Sequence, residues 1–314
     1  MPLAEGGWNL TYGANGVHPG ADFTFGTIAS GYYLLEPPEI TYADVDAGDT
    51  PMPREDGARL GEDFRGQATV TFEVGVDTVD DAPNRVGRHG ANLDAVSVMG
   101  QAWDGKAVRK RFAVPASLRT TQGGRARRFF GRPRKFAPAA SNLTRQGYTP
   151  VVCNFVCVDS TAYDDTEQVL PVHFNPAPHR GLSGPLAEPL SMAGEGATKV
   201  PGEALIGGKS PTWPVIRIYG PISNPACEVV GSWKLAFSGL VLAAGQSVTI
   251  DPRPWARTVL RNSGASAAGA ITRGSPRLQD LLLPVGRHDF ILRGTDPTGT
   301  SYMTIAWRDA YPYL

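Results

Sequence analysis

The chain has 314 residues and balances 30 Lys and Arg against 30 Asp and Glu. That zero net charge argues against a globally basic nucleic-acid binder, although local patches remain open. The length suits two domains of ordinary size, and 41% hydrophobic content is enough for packed interiors. The 37 Gly and 27 Pro favour many short strands joined by turns over long helices.

Three cysteines, Cys153, Cys157 and Cys227, make no disulfide framework and read as reduced thiols. The segment Met1–Trp8 has neither the basic start nor the apolar run of a secretory leader, so the chain is expected to be made and folded in a cytoplasm. In that setting the glycosylation patterns at Asn9 and Asn142 carry no meaning. No run of about 18 apolar residues is present, and no membrane insertion is expected.

The region to about residue 60 is irregular, with short candidate strands at Trp8–Tyr12, Phe23–Thr27 and Glu39–Ala43. Acidic residues cluster there: Glu36, Glu39, Asp44, Asp46, Asp49, Glu55 and Asp56. The clearest strand follows at Gln67–Val76, where Val70, Phe72, Val74 and Val76 alternate with Thr69, Thr71 and Glu73. Period-two alternation sends one set to a core. Leu93, Val96, Met99 and Trp103 then recur at spacings of three, three and four, which predicts a helix over Ala91–Trp103. Its apolar stripe is expected to pack on the Val70/Phe72 sheet, and Asp104-Gly105 stops it.

A basic segment comes next, with no Asp or Glu from Lys106 to Lys135. Beyond it, Pro150–Asp159 reads as a strand covered on both faces: Val151, Cys153, Phe155 and Cys157 on one, Val152, Asn154, Val156 and Val158 on the other. Residues 175–202, rich in Pro and Gly, read as an extended linker between domains at 1–174 and 203–314. The second domain shows short candidate strands at Val215–Tyr219, Ala226–Val230, Trp233–Phe237, Ser247–Asp251, Thr258–Leu260, Asp289–Arg293 and Ser301–Trp307. That spacing suggests a β-sandwich and a mainly β protein overall.

Chemistry-bearing patterns are weak. Gly207-Gly208-Lys209-Ser210 resembles the end of a phosphate-binding loop, but Glu203 stands where the first glycine belongs and Pro211 follows where a helix should propagate. Cys153 and Cys157 with His173 suggest a metal only on a helix; on a strand, positions four apart sit about 13 Å from each other. The five histidines form no H-x-x-x-H or H-x-H pair, and Ala268 replaces the last glycine of a nucleophile elbow. Asp80/Asp81 and Asp164/Asp165 would serve as a hydrolase couple only if the fold brought partners together. No catalytic, cofactor or metal residue is assigned. Trp213, Trp233 and Trp255 are a candidate sugar platform, against the commoner role of tryptophan in cores and interfaces. The basic residues Arg125, Arg127, Arg128, Arg132, Arg134 and Lys135 have three readings: a solvated face, a contact with acidic residues of a neighbouring subunit, or contact with DNA phosphate. The subunit contact ranks first, because acidic and basic segments are segregated within one chain. Phe129, Phe130 and Phe136 are then expected to anchor the segment while its guanidinium groups face the partner.

Several runs resemble minor tail proteins of phages that infect actinobacteria. They are Pro51–Gly57 followed by Gly66–Glu73, Phe130–Pro138, Pro211–Ile216 leading into Gly220–Pro225, Gly245–Asp251, and the ending Trp307–Leu314. In combination they look like the siphophage distal tail proteins. The resemblance implies a hexameric ring at the virion tail tip, assembled in the host cytoplasm. It implies a β-rich N-terminal ring-forming domain with one helix, and a C-terminal galectin-like or jelly-roll β-sandwich. The implied partners are copies of itself, the tail tube protein, and tail-tip hub, tape measure or fibre proteins. DNA would pass through the lumen without sequence-specific binding. No catalytic residue or cofactor is implied. A carbohydrate-binding host-attachment module and a cell-wall hydrolase are the rivals, the first needing exposed coplanar aromatics and the second converging acid–base groups.

Overall fold

The computed structural model describes residues 3–54, 56–174 and 202–314. It is mainly β and divides into two compact units, residues 1–165 with 311–314 and residues 166–310. The expected linker, apart from Gly202, lies outside the described residues. The break after Asp165 differs from the expected one at 174, because Gln168–His173 pairs with Tyr302–Trp307 of the second unit. Among the described residues no helix is long and apolar enough to cross a membrane.

The first unit contains β1 (Trp8–Tyr12), β2 (Ala21–Phe25), β3 (Tyr32–Leu34), β4 (Glu39–Tyr42), β5 (Val45–Ala47), β6 (Thr50–Pro51), β7 (Ala58–Arg59), β8 (Asp63–Arg65) and β9 (Ala68–Asp77). After these come α1 (Arg85–Asp104), α2 (Lys106–Arg109), β10 (Ala116–Gln122), β11 (Arg125–Pro138), β12 (Tyr148–Cys157) and β13 (Ala162–Asp164). The main sheet runs β2-β1-β10-β11-β12-β9-β3, with β4 also on β9 and β13 on β11. In β9 the predicted alternation holds, and Val70, Phe72, Val74 and Val76 are fully buried. Their antiparallel partners on β12 are Phe155, Cys153, Val151 and Thr149.

The helix is longer than its apolar stripe suggests. Asn84 caps it by accepting from the Gly87 N–H at 2.7 Å, and Gly105, at φ 57, ends it. The extra N-terminal turns carry Gly87 and Gly90, which weaken any sequence signal. The stripe is also rotated. Met99 and Trp103 are buried, but Leu93 is 52% exposed and Asn92 takes the inward position. Asn92 donates to the Val76 and Gly147 carbonyls and accepts from Thr149 Oγ1 at 2.6 Å, so this buried amide is satisfied. Trp103 packs edge-on to Phe25 and Phe72, at 5.4 and 6.2 Å between centroids, and its indole N–H donates to the Asn154 carbonyl.

The helix covers only the Cys153 face of β12. The opposite face is half-exposed at Val152, Asn154 and Val156 and exposed at Val158, which corrects the expectation of a strand covered on both sides. Cys153 and Cys157 lie in the core, and burial pushes both thiols up, Cys157 to about 12.

The second unit is a sandwich. One sheet runs β14 (Gln168–His173), β23 (Tyr302–Trp307), β16 (Val215–Tyr219), β20 (Ser247–Asp251) and β21 (Thr258–Arg261). The other runs β15 (Gly202–Ile206), β22 (Gly286–Thr295), β17 (Ile222–Val229) and β18 (Trp233–Ala236), with β19 (Val241–Leu242) on β17. Alternate residues such as Ile216, Ile218, Val248, Ile250, Phe290 and Ile305 fill its core.

Candidate subunit-contact surface

The basic segment is one strand and its surroundings. β10 and β11 form a hairpin whose two-residue turn, Gly123-Gly124, has φ 56 and 70, values a β-carbon would strain. The Glu5 carboxylate accepts both turn amides. From there β11 alternates strictly: Arg127, Phe129 and Gly131 are buried, while Arg128, Phe130 and Arg132 are half-exposed.

Three of the six candidate cations are used within the chain. Arg127 is 7% exposed; its Nη1 pairs with Asp164 Oδ2 at 3.2 Å and its guanidinium lies over the Tyr311 ring. Arg128 donates through Nε and Nη2 to Asp165 Oδ1. Across the hairpin, Arg119 grips both oxygens of the same carboxylate, at 2.8 and 2.6 Å. Burial pushes the Asp165 carboxyl up, but the hydrogen bonds from Arg119 and Arg128 outweigh it and hold its pKa below the ordinary value. Arg132 donates to the Val114 carbonyl through Nε and Nη2 and also reaches the Arg109 and Arg111 carbonyls, pinning the turn after α2. Burial, with help from the nearby Arg134 charge, lowers its pKa. The guanidinium groups of Arg127, Arg128 and Arg132 are therefore engaged within their own chain.

Arg125, Arg134 and Lys135 are exposed, and none has an ion-pair partner among the described residues. Lys110 and Arg111 after α2 are also exposed without one. The expected anchors divide: Phe129 is fully buried, Phe130 packs against Tyr163 at 5.5 Å, and Phe136 lies half-buried against Gly100 of α1.

The acidic residues fall on a feature the sequence did not reveal. β5 pairs β8 and β6 pairs β7, building a two-stranded ribbon from residue 44 to 66. Every described residue in it is exposed except Met52, and Leu60 and Phe64 are 83% and 64% exposed. Asp44, Asp46 and Asp56 belong to it; Glu55 lies outside the described residues.

The candidate tryptophans are separated. Trp233 packs edge-on to Phe290 at the sandwich core, Trp255 lies in the β20–β21 connection with Arg253 5.3 Å from its ring, and Trp213 precedes β16, half-buried. A different aromatic row crosses the β14-β23-β16 sheet. Tyr219 and Tyr302 stack at 4.4 Å, His173 flanks Tyr302, and Arg217 flanks Tyr219. Finding that row requires the register of three non-consecutive strands, which no local pattern carries. The Gly207–Ser210 loop spends its amides on its own chain: Gly207 donates to Asp309, and Lys209 and Ser210 to the Ala310 carbonyl. The Asp164 and Asp165 pair is engaged by arginines rather than arranged as an acid–base couple.

No family model matches the chain, and no curated protein matches it. Solved structures do. One is the crystal structure of the phage SPP1 Dit protein (gp 19.1), described as a paradigm of the hub adsorption apparatus in phages infecting Gram-positive bacteria. It matches at 12% identity and a TM-score of 0.53 over 96% of this chain and 98% of that one. A chain of the phage P2 baseplate in its activated conformation with calcium matches at 8% identity and a TM-score of 0.51 over 98% and 99%. Nearly end to end, this chain has the fold of phage distal-tail hub and baseplate proteins.

Proposed function

We propose that the chain is a structural component of a phage tail tip and not an enzyme. The observation that carries this reading is the near-complete coverage of the match to a phage hub protein, with both units included. A fold alone does not imply a function, but the surface supports the same reading. The exposed acidic ribbon and the exposed cations Arg125, Arg134 and Lys135 belong to one unit and are opposite in charge. Opposed patches on identical subunits make a head-to-tail contact, which closes into a ring when the rotation allows.

In this reading six copies form a ring that joins the tail tube to hub, tape measure or fibre proteins. DNA crosses the lumen without base recognition. The ring is assembled in the host cytoplasm and ends in the virion tail tip. Mass measurement of the purified protein across a concentration series, with imaging of tails labelled on this chain, tests the proposal. Closed rings and label at the tail tip are expected. A protein that is single in solution and absent from tails overturns it.

A further inference from the structure

We propose that the turn Lys110-Arg111-Phe112 is a tip that settles on an anionic lipid surface, with the Phe112 ring among the headgroups and the two cations on lipid phosphates.

Phe112 is the most exposed large apolar side chain of the described residues, at 94%. Burial against its own surface would remove the ring from water, but the backbone holds it out. The Arg132 guanidinium donates to the carbonyls of Arg109, Arg111 and Val114, which brackets the turn on both sides. The Arg111 N–H donates to the Val108 carbonyl at 3.1 Å. Ala113 takes φ 60, a conformation its β-carbon disfavours. A strained, pinned turn that presents one bare ring is the kind of outlier from which function is inferred.

The surround is cationic once its nearest carboxylate is counted. Asp104, at the end of α1, pairs with Lys106 at 2.9 Å and with Arg109 at 3.0 Å, so those charges are largely matched. Lys110 and Arg111 are exposed, and neither pairs with a carboxylate among the described residues. Arg132 spends its donors on carbonyls and keeps its charge, and the charge acting on it is that of another cation, Arg134.

That charge calls for an anionic partner. A DNA duplex offers phosphates to the cations but no place for the ring, since its bases are paired and stacked. A protein pocket would surround the ring with further contacts that exclude water. Here Ala113 and Val114 are half-buried, and the residues before Phe112 are cations. An anionic bilayer takes both features: its interface accommodates aromatic rings, and its surface potential draws Lys and Arg. The chain would lie on such a surface rather than cross it. A ring of copies would repeat the turn on one side and multiply weak contacts.

Sedimentation of the full chain with vesicles tests the proposal. Binding is expected to vesicles of phosphatidylglycerol mixed with phosphatidylcholine, and not to phosphatidylcholine alone. Lys110→Ser with Arg111→Ser should weaken it by roughly thirtyfold, from the usual worth of two cations near anionic headgroups. Phe112→Ser should also release the protein, while Phe112→Trp should bind like the parent. The emission of Phe112→Trp minus that of the parent should shift to the blue on the anionic vesicles. All three sites are exposed, so the urea midpoints should match the parent's. No binding to the anionic vesicles overturns the proposal, and so does equal binding to neutral ones. Variants that bind vesicles as the parent does but lose binding to duplex DNA, or lose self-assembly by mass measurement, make the turn a DNA or protein contact and overturn it as well.

Discussion

The Arg127 guanidinium lies 3.7 Å from the centroid of the Tyr311 ring while its Nη1 pairs with Asp164 at 3.2 Å. One buried side chain thus holds two segments far apart in sequence, one shortly before the chain leaves the first unit and one just after it returns. A cation over an aromatic face, desolvated and also paired, is among the stronger uses of arginine.

Removing that side chain should therefore unfold the first unit more easily. Breaking a buried pair from one side costs about 3–5 kcal/mol. Arg127→Ala is expected near the lower end, about 3 kcal/mol by that same scale, because Asp164 keeps 32% of its side chain exposed. Urea unfolding followed by tryptophan fluorescence measures it. A loss below about 1 kcal/mol, the level of a surface pair, would show that the contact is incidental.

Asp165 makes the first unit sensitive to acid. Its folded pKa lies below the unfolded value, so its contribution is complete above the unfolded pKa, near 3.8, and is lost as pH falls through the folded one. Stability should fall with pH across that window, and Asp165→Asn should flatten the slope while lowering stability at neutral pH. Denaturant midpoints at a series of acidic pH values check the sign. An unchanged slope in the variant would remove Asp165 from the account.

Helix α1 offers a contrast between two residues that share the sequence stripe. Trp103→Ala empties a buried aromatic site and should cost about 3–5 kcal/mol. Leu93→Ala removes a side chain that is 52% exposed and should stay within about 0.5 kcal/mol. Thermal unfolding of both variants tests the rotated burial face. Equal losses would restore the stripe as the sequence draws it.

That rotation shows what was legible in the sequence and what was not. β9, β12, β16 and β20 announce themselves because a period of two needs only neighbouring residues. The helix stripe is misread because Asn92 fills an inward site, and a buried amide becomes favourable only when Val76, Gly147 and Thr149 converge on it. β14 is assigned to the wrong side of the domain break for a similar reason: its partner strand ends the second unit, and pairing at that separation leaves no local mark. The basic segment is visible as a run of charge, yet its division depends on Asp164 and Asp165 coming to lie beside β11 through β13. Strand alternation sorts the faces of β11 but does not say which face finds a carboxylate.

The division of the basic segment decides which charge reversal is informative. Reversing Arg127 and Arg128 would break internal pairs and leave any loss of assembly ambiguous. Arg134→Glu with Lys135→Glu avoids this, since both residues are exposed and without ion-pair partners among the described residues. The folded monomer should be as stable as the parent to within about 1 kcal/mol, the scale of exposed charges. If these cations meet the acidic ribbon of a neighbouring copy, like charges then face each other, and the multimer should dissociate. Raising the salt concentration should partly rescue it, because screening shortens the reach of the repulsion to about 8 Å or less above physiological ionic strength. A compensating Asp44→Lys with Asp46→Lys, two exposed residues of the ribbon, should restore assembly more fully than salt does. If instead the cations touch DNA in a lumen, assembly survives and genome delivery fails. Normal assembly together with normal infectivity would leave Arg134 and Lys135 as a solvated face.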